Sequence, residues 1–225
     1  MHYYDCPCDE CRGPDTDTLF QRVLSVIERL EQELARPPLK EYERALAWLE
    51  AACGGPTGVR ALDTRPLTGP VALPEDQRVR EVAGLLDDVA RQFYDAETGW
   101  AFRRGLVRVC EVDPDLVAAS VLPAYVAAGV AWAVGEANGL VGPDRRVTST
   151  RLKYALDVPG APATYARPIR AALRGLWPWH TEHTPITPGV TTLGHLDLLT
   201  SATRAQLVRV REHALAAREA DRAAA

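Results

Sequence analysis

The chain has 225 residues, of which 47% are hydrophobic and 25% charged, with a formal net charge of −4. These values are ordinary for a soluble globular protein, and the length suffices to bury a core. The polar, acidic residues 1–12 contain no apolar stretch, so we expect no secretory signal. The five cysteines are therefore expected in a reducing compartment, and the predicted location is the cytoplasm.

Residues 1–14 are predicted to form a cysteine-rich tail, and residues 15–57 an acidic helical hairpin. Two stretches with apolar residues at helical spacing flank Pro37 and Pro38, which stop a helix. Each apolar stripe would cover the other, and the hairpin is expected to serve self-association or a protein partner. The stripes consist of Leu19, Val23, Val26, Leu30 and Leu34, and of Leu39, Tyr42, Leu46, Leu49 and Cys53.

Residues 58–74 contain two glycines and three prolines with little periodicity, and are predicted to be a linker and domain boundary. A helical core is expected at 75–142, opened by acidic residues that suit the positive end of a helix. Within it, residues 100–112 fit either a short pair of strands or a helix. The C-terminal unit, 194–225, is predicted to contain a helix from Thr200 to about Arg222.

The stretch from Leu116 to Gly135 contains 20 residues without a charge, about the length that crosses a bilayer. Ala and Gly dominate it, and it holds few Leu, Ile or Phe, so transfer into lipid is marginal. We therefore expect no membrane association. The prediction is a buried Ala-rich helix in a mainly α fold, capped by Asp113 or Asp115 and ending near Asn138.

Positive charge is concentrated in one segment. Residues 144–179 carry seven basic and two acidic side chains, a local charge of +5, whereas the other residues sum to −9. Cationic density on a compact helical pair is what a phosphate-binding surface needs. Thr148, Ser149 or Thr150 is expected to cap a first helix that runs to Leu156. After a turn, a second helix is expected from about Thr164, with Pro168 in its first turn.

Two short helices around a Pro-Gly turn, within residues 143–193, resemble a helix-turn-helix DNA-binding unit with residues 180–192 as a wing. The resemblance implies double-stranded DNA as the partner, with the second helix facing base edges and flanking cations contacting phosphates. An ordinary helical hairpin, with its arginine face solvated or docked on an acidic partner, is the alternative. The implied contact residues are Arg145, Arg146, Arg151, Lys153, Thr164, Tyr165, Arg167, Arg170 and Arg174.

Three cysteines lie close together near the start of the chain. Cys6, Cys8 and Cys11 can wrap one soft metal ion, and tetrahedral zinc needs a fourth ligand. The candidates for that ligand are His2, Cys53 and Cys110. A structural zinc would pin the tail onto the helical body. The alternatives are a tail with reactive thiols and, for Cys53 and Cys110, a place on apolar faces as small core residues.

No catalytic signature stands out in the sequence. His180, Glu182 and His183 suggest a metal-dependent hydrolase, but prolines on both sides disfavour the single helix that an H-E-x-x-H motif needs. There is no nucleophile elbow and no Gly-rich phosphate loop. The sequence therefore favours a non-catalytic DNA-binding protein of accessory or regulatory type. A non-enzymatic protein-interaction or structural protein is the first alternative, and a metal-dependent hydrolase the second.

Overall fold

The computed structural model describes residues 20–27, 39–120, 122–174 and 190–224. The chain divides into two compact units, residues 1–40 and 41–225. In the first unit, residues 20–27 are helical. The second unit is built from helices, and its described residues contain no strand beyond an isolated bridge between Val141 and Val147.

The predicted mainly α fold is confirmed. A single turn of 3₁₀ helix, Leu196–Leu198, precedes the last α-helix. In chain order the α-helices of the second unit are α1 (Glu41–Cys53), α2 (Pro56–Ala61), α3 (Gln77–Phe93), α4 (Ala96–Val112), α5 (Asp115–Ala118), α6 (Pro123–Ala137), α7 (Ser149–Ala155), α8 (Pro162–Arg174) and α9 (Ser201–Ala224).

Helix α6 lies at the centre of the second unit, where it packs against α3, α4 and α8. It consists largely of Ala, Val and Gly, and every residue from 126 to 135 is buried. Its small side chains allow close packing, because a Cβ on Gly129 would lie 2.6 Å from the carbonyl oxygen of Tyr165 in α8. The predicted buried Ala-rich helix is thus confirmed. In the part of the chain that the structure describes, no helix has the length and apolarity needed to cross a membrane.

The uncharged stretch is nevertheless not a single helix. Helix α5 ends at Ala118, and α6 begins at Pro123 after an extended Leu122 (φ −130°, ψ 139°). Proline has no N–H to continue a helix and disfavours helical geometry in the residue before it. The prediction of one continuous helix from Asp113 or Asp115 is therefore wrong at its N-terminal end, where proline chemistry outweighs composition.

Residues 100–112, which the sequence left open between strands and helix, belong to α4. Asp95 caps this helix, and its carboxylate accepts a hydrogen bond from the backbone N–H of Thr98 at 2.8 Å. Buried residues recur along one helical face, including Phe102, Leu106 and Val109. Burial of that face against the core decides in favour of the helix.

Residues 62–76 form an irregular crossing within the second unit, and the division between the two units falls at 40/41 instead of in the predicted linker 58–74. The Glu97 carboxylate accepts hydrogen bonds from the backbone N–H groups of Leu67, at 2.8 Å, and Ser201, at 2.7 Å. Arg204 is only 8% exposed and pairs with Asp63 at 3.1 Å. These contacts tie the Gly- and Pro-rich stretch to the starts of α4 and α9.

The C-terminal helix α9 packs against α1. Trp48 and Leu49 are fully buried on α1, and the Tyr42 hydroxyl donates to the Asp221 carboxylate at 2.9 Å. Helix α1, the second helix of the predicted N-terminal hairpin, therefore packs with a partner from the far end of the described sequence.

Candidate functional site

The basic segment starts in a short loop between α6 and α7. The backbone N–H of Gly142 donates to the carbonyl of Val147 at 3.2 Å, which closes the loop. Val141 and Val147 are buried at its base, whereas residues 143–146 at its tip are exposed. Arg145 and Arg146 therefore lie on a loop whose two ends are anchored in the core.

Helix α7 follows directly and carries the next arginine. The Thr148 hydroxyl accepts from the backbone N–H of Arg151 at 3.4 Å, so Thr148 is the cap, one of the three predicted. Leu152 and Leu156 anchor the helix in the core. The exposed Arg151 donates through Nη1 to the carbonyl oxygen of Arg146 at 2.7 Å, which joins the start of α7 to the loop tip.

Helix α8, the predicted reader helix, is only partly exposed: of its 13 residues, four are buried, five are half-buried and four are exposed. It begins at Pro162, so Pro168 lies in its interior and the prediction of a first-turn proline is wrong. Among its cations, Arg167 is exposed, whereas Arg170 and Arg174 are half-buried. The exposed positions form one narrow stripe: Thr164, Arg167, Pro168 and Ala171.

Two of the predicted contact arginines are engaged inside the protein. Arg170 forms an ion pair with Glu136 of α6, and both side chains are 25% exposed. Arg174 donates through Nε to the carbonyl oxygen of Thr192 at 2.7 Å. Both guanidinium groups therefore fasten α8 to neighbouring elements of the same chain.

Tyr165, also predicted to contact DNA, is held by the fold as well. Its ring stacks on that of Tyr125, with centroids 4.8 Å apart and planes 10° from parallel. Its hydroxyl accepts a hydrogen bond from the backbone N–H of Gly160 at 3.1 Å. The stacked pair lines a mostly apolar groove of about 400 Å³ between α5, α6 and α8. This packing keeps the Tyr165 ring out of the exposed stripe of α8.

The remaining predicted cations lie at the surface. Arg145, Arg146, Arg151 and Arg167 are exposed, and Lys153 is half-buried. Within the described ranges, no carboxylate forms an ion pair with Arg146, Arg151 or Arg167. We refer to Arg145, Arg146 and Arg151, which the loop and the start of α7 bring together, as the basic patch.

A further surface residue was not singled out by the sequence reasoning. Tyr154 of α7 is 77% exposed. It lies three residues after Arg151, which makes the two side chains neighbours on the helix surface. Because Leu152 and Leu156 point inward, helical geometry indicates that Tyr154 between them faces solvent. The position of Tyr154 between two leucines of the same helical face is visible in the sequence and could have indicated its exposure.

The predicted metal site lies largely outside the described residues, since His2, Cys6, Cys8 and Cys11 are all in the undescribed part. Burial raises the pKa of the Cys53 thiol to about 11, and burial also raises the pKa of Cys110. These values apply to the metal-free thiols, and a zinc ion deprotonates a thiol that it binds, so the fourth ligand stays open among His2, Cys53 and Cys110. A structural zinc stays a prediction from the sequence.

The residues suggested for a hydrolase, His180, Glu182 and His183, also lie outside the described ranges, as does most of the predicted wing. The nearby His195 is described, and its Nε2 lies 2.8 Å from the carbonyl oxygen of Leu173 at the end of α8. Over residues 20–27, 39–120, 122–174 and 190–224, no three His, Cys, Asp or Glu side chains are grouped to hold a metal ion.

A second groove, of about 780 Å³, lies between α3, α4 and residues 69–70. The Arg103–Asp87 ion pair and the rings of Tyr94 and Trp100 line it. Burial raises the pKa of the Tyr94 hydroxyl, which finds no hydrogen-bond partner among the described atoms, and the charge of Arg146 acts in the opposite direction. The lining of this groove has equal numbers of acidic and basic side chains, and these residues form no recognisable catalytic arrangement.

Comparison with known proteins adds no assignment to this geometry. No protein-family model, curated protein or solved structure was found to match the chain. The function is therefore inferred from the side chains and contacts described above.

Proposed function

We propose that the chain is a non-catalytic DNA-binding protein of accessory or regulatory type, acting in the cytoplasm. The observation that supports this is the basic patch, three exposed arginines gathered where a closed loop meets α7. Guanidinium groups suit phosphate oxygens because their planar fork donates two parallel hydrogen bonds. Arg167, exposed on α8, supplies a further cation in the same segment.

The proposed contacts are mainly to phosphates. Arg170 and Arg174 are engaged with Glu136 and Thr192, so α8 offers few side chains to base edges. Phosphate contacts position a protein on DNA without reading its sequence. We therefore expect binding that depends strongly on salt and weakly on sequence, which suits an accessory role better than operator recognition.

Replacing Arg146 and Arg167 with Gln tests the proposal. Both are exposed, and neither is ion-paired within the described ranges, so the substitutions should leave the fold intact. Affinity for random-sequence duplex, measured by fluorescence anisotropy at about 50 mM salt, should fall roughly tenfold or more. The slope of log affinity against log salt should become shallower by about 2, since each lost phosphate contact removes about 0.9.

The matched control is the pair Arg80→Gln and Arg209→Gln. These arginines are also exposed but lie on α3 and α9, so the net charge changes equally while the basic patch is untouched. Equal weakening by both pairs would mean that net charge alone governs binding. Wild-type affinity and slope in the Arg146/Arg167 variant would reject the proposal.

A second function, self-association through the N-terminal unit, is favoured by a different observation. Residues 20–27 are helical and expose Phe20, Val23, Leu24, Val26 and Ile27, each at least 36% exposed. In the sequence, apolar residues at positions 19, 23, 26 and 30 have the 4-3-4 spacing that is typical of a coiled-coil seam. We propose that this stripe pairs with the same stripe of a second copy.

Val23→Glu should convert the self-associated protein to monomer, because a buried carboxylate opposite its own copy is costly. Sedimentation velocity of the full chain measures the change. Ser25→Glu is the control, since Ser25 is exposed and lies outside the 4-3-4 spacing. A wild-type protein that sediments as a monomer, or equal effects of the two substitutions, would contradict self-association through this stripe.

A further inference from the structure

Tyr154 is the most exposed of the large hydrophobic side chains in the described ranges, at 77%. The tyrosine ring is a large apolar surface, and its exposure to water forgoes the free energy that burial would bring. Trp48 and Phe102, by comparison, are almost completely buried. In its exposed position the Tyr154 ring contributes little to the stability of the fold.

The backbone beneath Tyr154 is well anchored. Leu152 and Leu156 on either side are 1% and 5% exposed, and Thr148 caps the start of the helix. The Arg151–Arg146 hydrogen bond ties the same turn to the preceding loop. The ring is thus presented to solvent on a fixed support, which lowers the entropy cost of binding a ligand.

The surroundings of Tyr154 are cationic. Arg151 lies one helical turn before it, and Arg146 is hydrogen-bonded to Arg151. The other exposed positions on this part of α7, Thr150 and Ala155, supply no second large apolar side chain. A protein-docking surface normally surrounds an aromatic anchor with further apolar contacts, so these neighbours do not favour one.

Cations beside an exposed aromatic ring suit unpaired nucleotides. Phosphates take the guanidinium groups, and a base can stack on the ring whatever its identity. In a paired duplex the faces of the bases are already stacked inside the helix, so an exposed ring gains little there. We propose that the basic patch binds single-stranded DNA, with Tyr154 stacking on a base while Arg146 and Arg151 hold the neighbouring phosphates.

This inference depends on the proposed DNA-binding function and specifies its ligand. Asp157, which follows α7, is exposed as well, and it places one negative charge near Tyr154 in the sequence. The basic patch has three arginines, and the nearby carboxylates are those of Asp144 and Asp157. The local charge is therefore positive. Stacking, unlike phosphate contact, also survives at raised salt, so Tyr154 should matter most where the arginine contribution is screened.

The test compares Tyr154→Ala with Tyr154→Phe in the full chain, using oligo-dT of about 20 nucleotides and a duplex of equal length. Wild type should bind the single strand more tightly than the duplex. Tyr154→Ala should weaken single-strand binding roughly 10- to 100-fold, whereas Tyr154→Phe keeps the ring and most of the affinity. Duplex binding should change little in either variant.

Leu122→Ala provides the control, since Leu122 is an exposed apolar residue between α5 and α6. The thermal midpoint of Tyr154→Ala should equal that of wild type, because little area is lost from the core. Equal wild-type affinity for both DNA forms, or unchanged single-strand binding by Tyr154→Ala, would overturn the stacking role. If the stacking role fails but the Arg146/Arg167 variant still binds duplex more weakly than wild type, the proposed DNA-binding function stands. If wild type binds neither the single strand nor the duplex, the DNA-binding function and the stacking role are both rejected.

Discussion

At the scale of single residues, arginine serves two distinct purposes in this protein. Arg204 is buried and donates to the carbonyl of Leu199 at 2.9 Å as well as to Asp63. Arg211 donates to the carbonyl oxygens of Val59 and Leu62, both at 2.9 Å. These side chains use the five donors of the guanidinium to connect distant segments. The side chains of Arg146 and Arg151 in the basic patch, by contrast, are exposed at the surface.

The sequence reasoning could not separate these two groups. Arg167 and Arg170 are three residues apart on one helix, yet the first is exposed and the second is paired with Glu136, 34 residues earlier. The density of positive charge was visible in the sequence. Which guanidinium groups contact carboxylates depends on how α6 packs against α8. Neighbouring residues in the sequence do not determine that packing.

Cys53 gives a prediction about pH. Burial raises the pKa of its thiol from 9.0 to about 11, although Arg211 and Arg204 act in the opposite direction. Between these values the folded state keeps the proton that the unfolded chain loses, so rising pH favours unfolding. The free energy of unfolding should therefore fall through this window, by at most about 1.4 kcal/mol per pH unit from this group.

Cys53→Val removes the titrating group, so its unfolding free energy should decline less steeply over the same window. Urea titrations of both proteins at several pH values measure this difference. Below about pH 8 the thiol is protonated in both states, and the gap between wild type and variant should stay constant. Parallel curves above that pH would show that the Cys53 thiol does not contribute to the pH dependence.

At the scale of elements, α8 was correctly predicted to be a helix, but several of its side chains predicted to face DNA contact neighbouring elements of the chain instead. Ile169 and Leu173 lie four residues apart, a helical spacing, and both are buried. Its start was predicted too late, at about Thr164 instead of Pro162, because proline suits the first turn and Pro168 was assigned that place. Pro162 and Pro168 each suit the first turn of a helix, and only the tertiary structure shows that Pro162 occupies it.

Pro168→Ala should stabilise the protein. Proline in the interior of α8 has no N–H to donate to the carbonyl of Thr164, and alanine restores that donor. Part of the gain is offset because the unfolded chain becomes more flexible. We expect about 1–2 kcal/mol, or a thermal midpoint raised by roughly 2–8 °C, in a calorimetric scan.

The control for this substitution is Pro143→Ala. Pro143 lies in the exposed loop before α7, outside any helix, so the change restores no helical hydrogen bond there. It should be neutral or slightly destabilising. A lower midpoint for Pro168→Ala would indicate that the proline ring stabilises the adjacent groove, whose lining it shares with Tyr165.

At the scale of the whole molecule, long-range polar contacts define how the helices assemble. Asn138, buried at the end of α6, donates to the carbonyl of Leu198 at 2.8 Å and accepts from the backbone N–H of Thr200 at 2.7 Å. The Glu97 carboxylate accepts hydrogen bonds from the backbone N–H groups of Leu67 and Ser201. Asn138 and Glu97 both bind the start of α9, from 62 and 104 residues earlier in the sequence. The position of α9 therefore depends on long-range contacts.

Helical periodicity and composition were sufficient to predict the fold class, the buried α6 and the C-terminal helix. The partner of each helix was not predictable in the same way. The apolar face of α1 is evident in the sequence, but nothing local indicates that α9 packs against this helix. Similarly, residues 58–74 have the Gly- and Pro-rich composition of a linker, and the sequence does not show that side chains such as Glu97, Arg204 and Arg211 hold them in place.

The packing of α1 on α9 has a consequence for the order of events during protein synthesis. Tyr42 and its hydrogen-bond partner Asp221 are 179 residues apart. At translation rates of about 5–20 residues per second, α1 leaves the ribosome roughly 10–40 seconds before its partner exists. During that interval Trp48 and Leu49 lack the helix that later packs there, so the nascent chain has a defined window in which a chaperone would have apolar surface to shield.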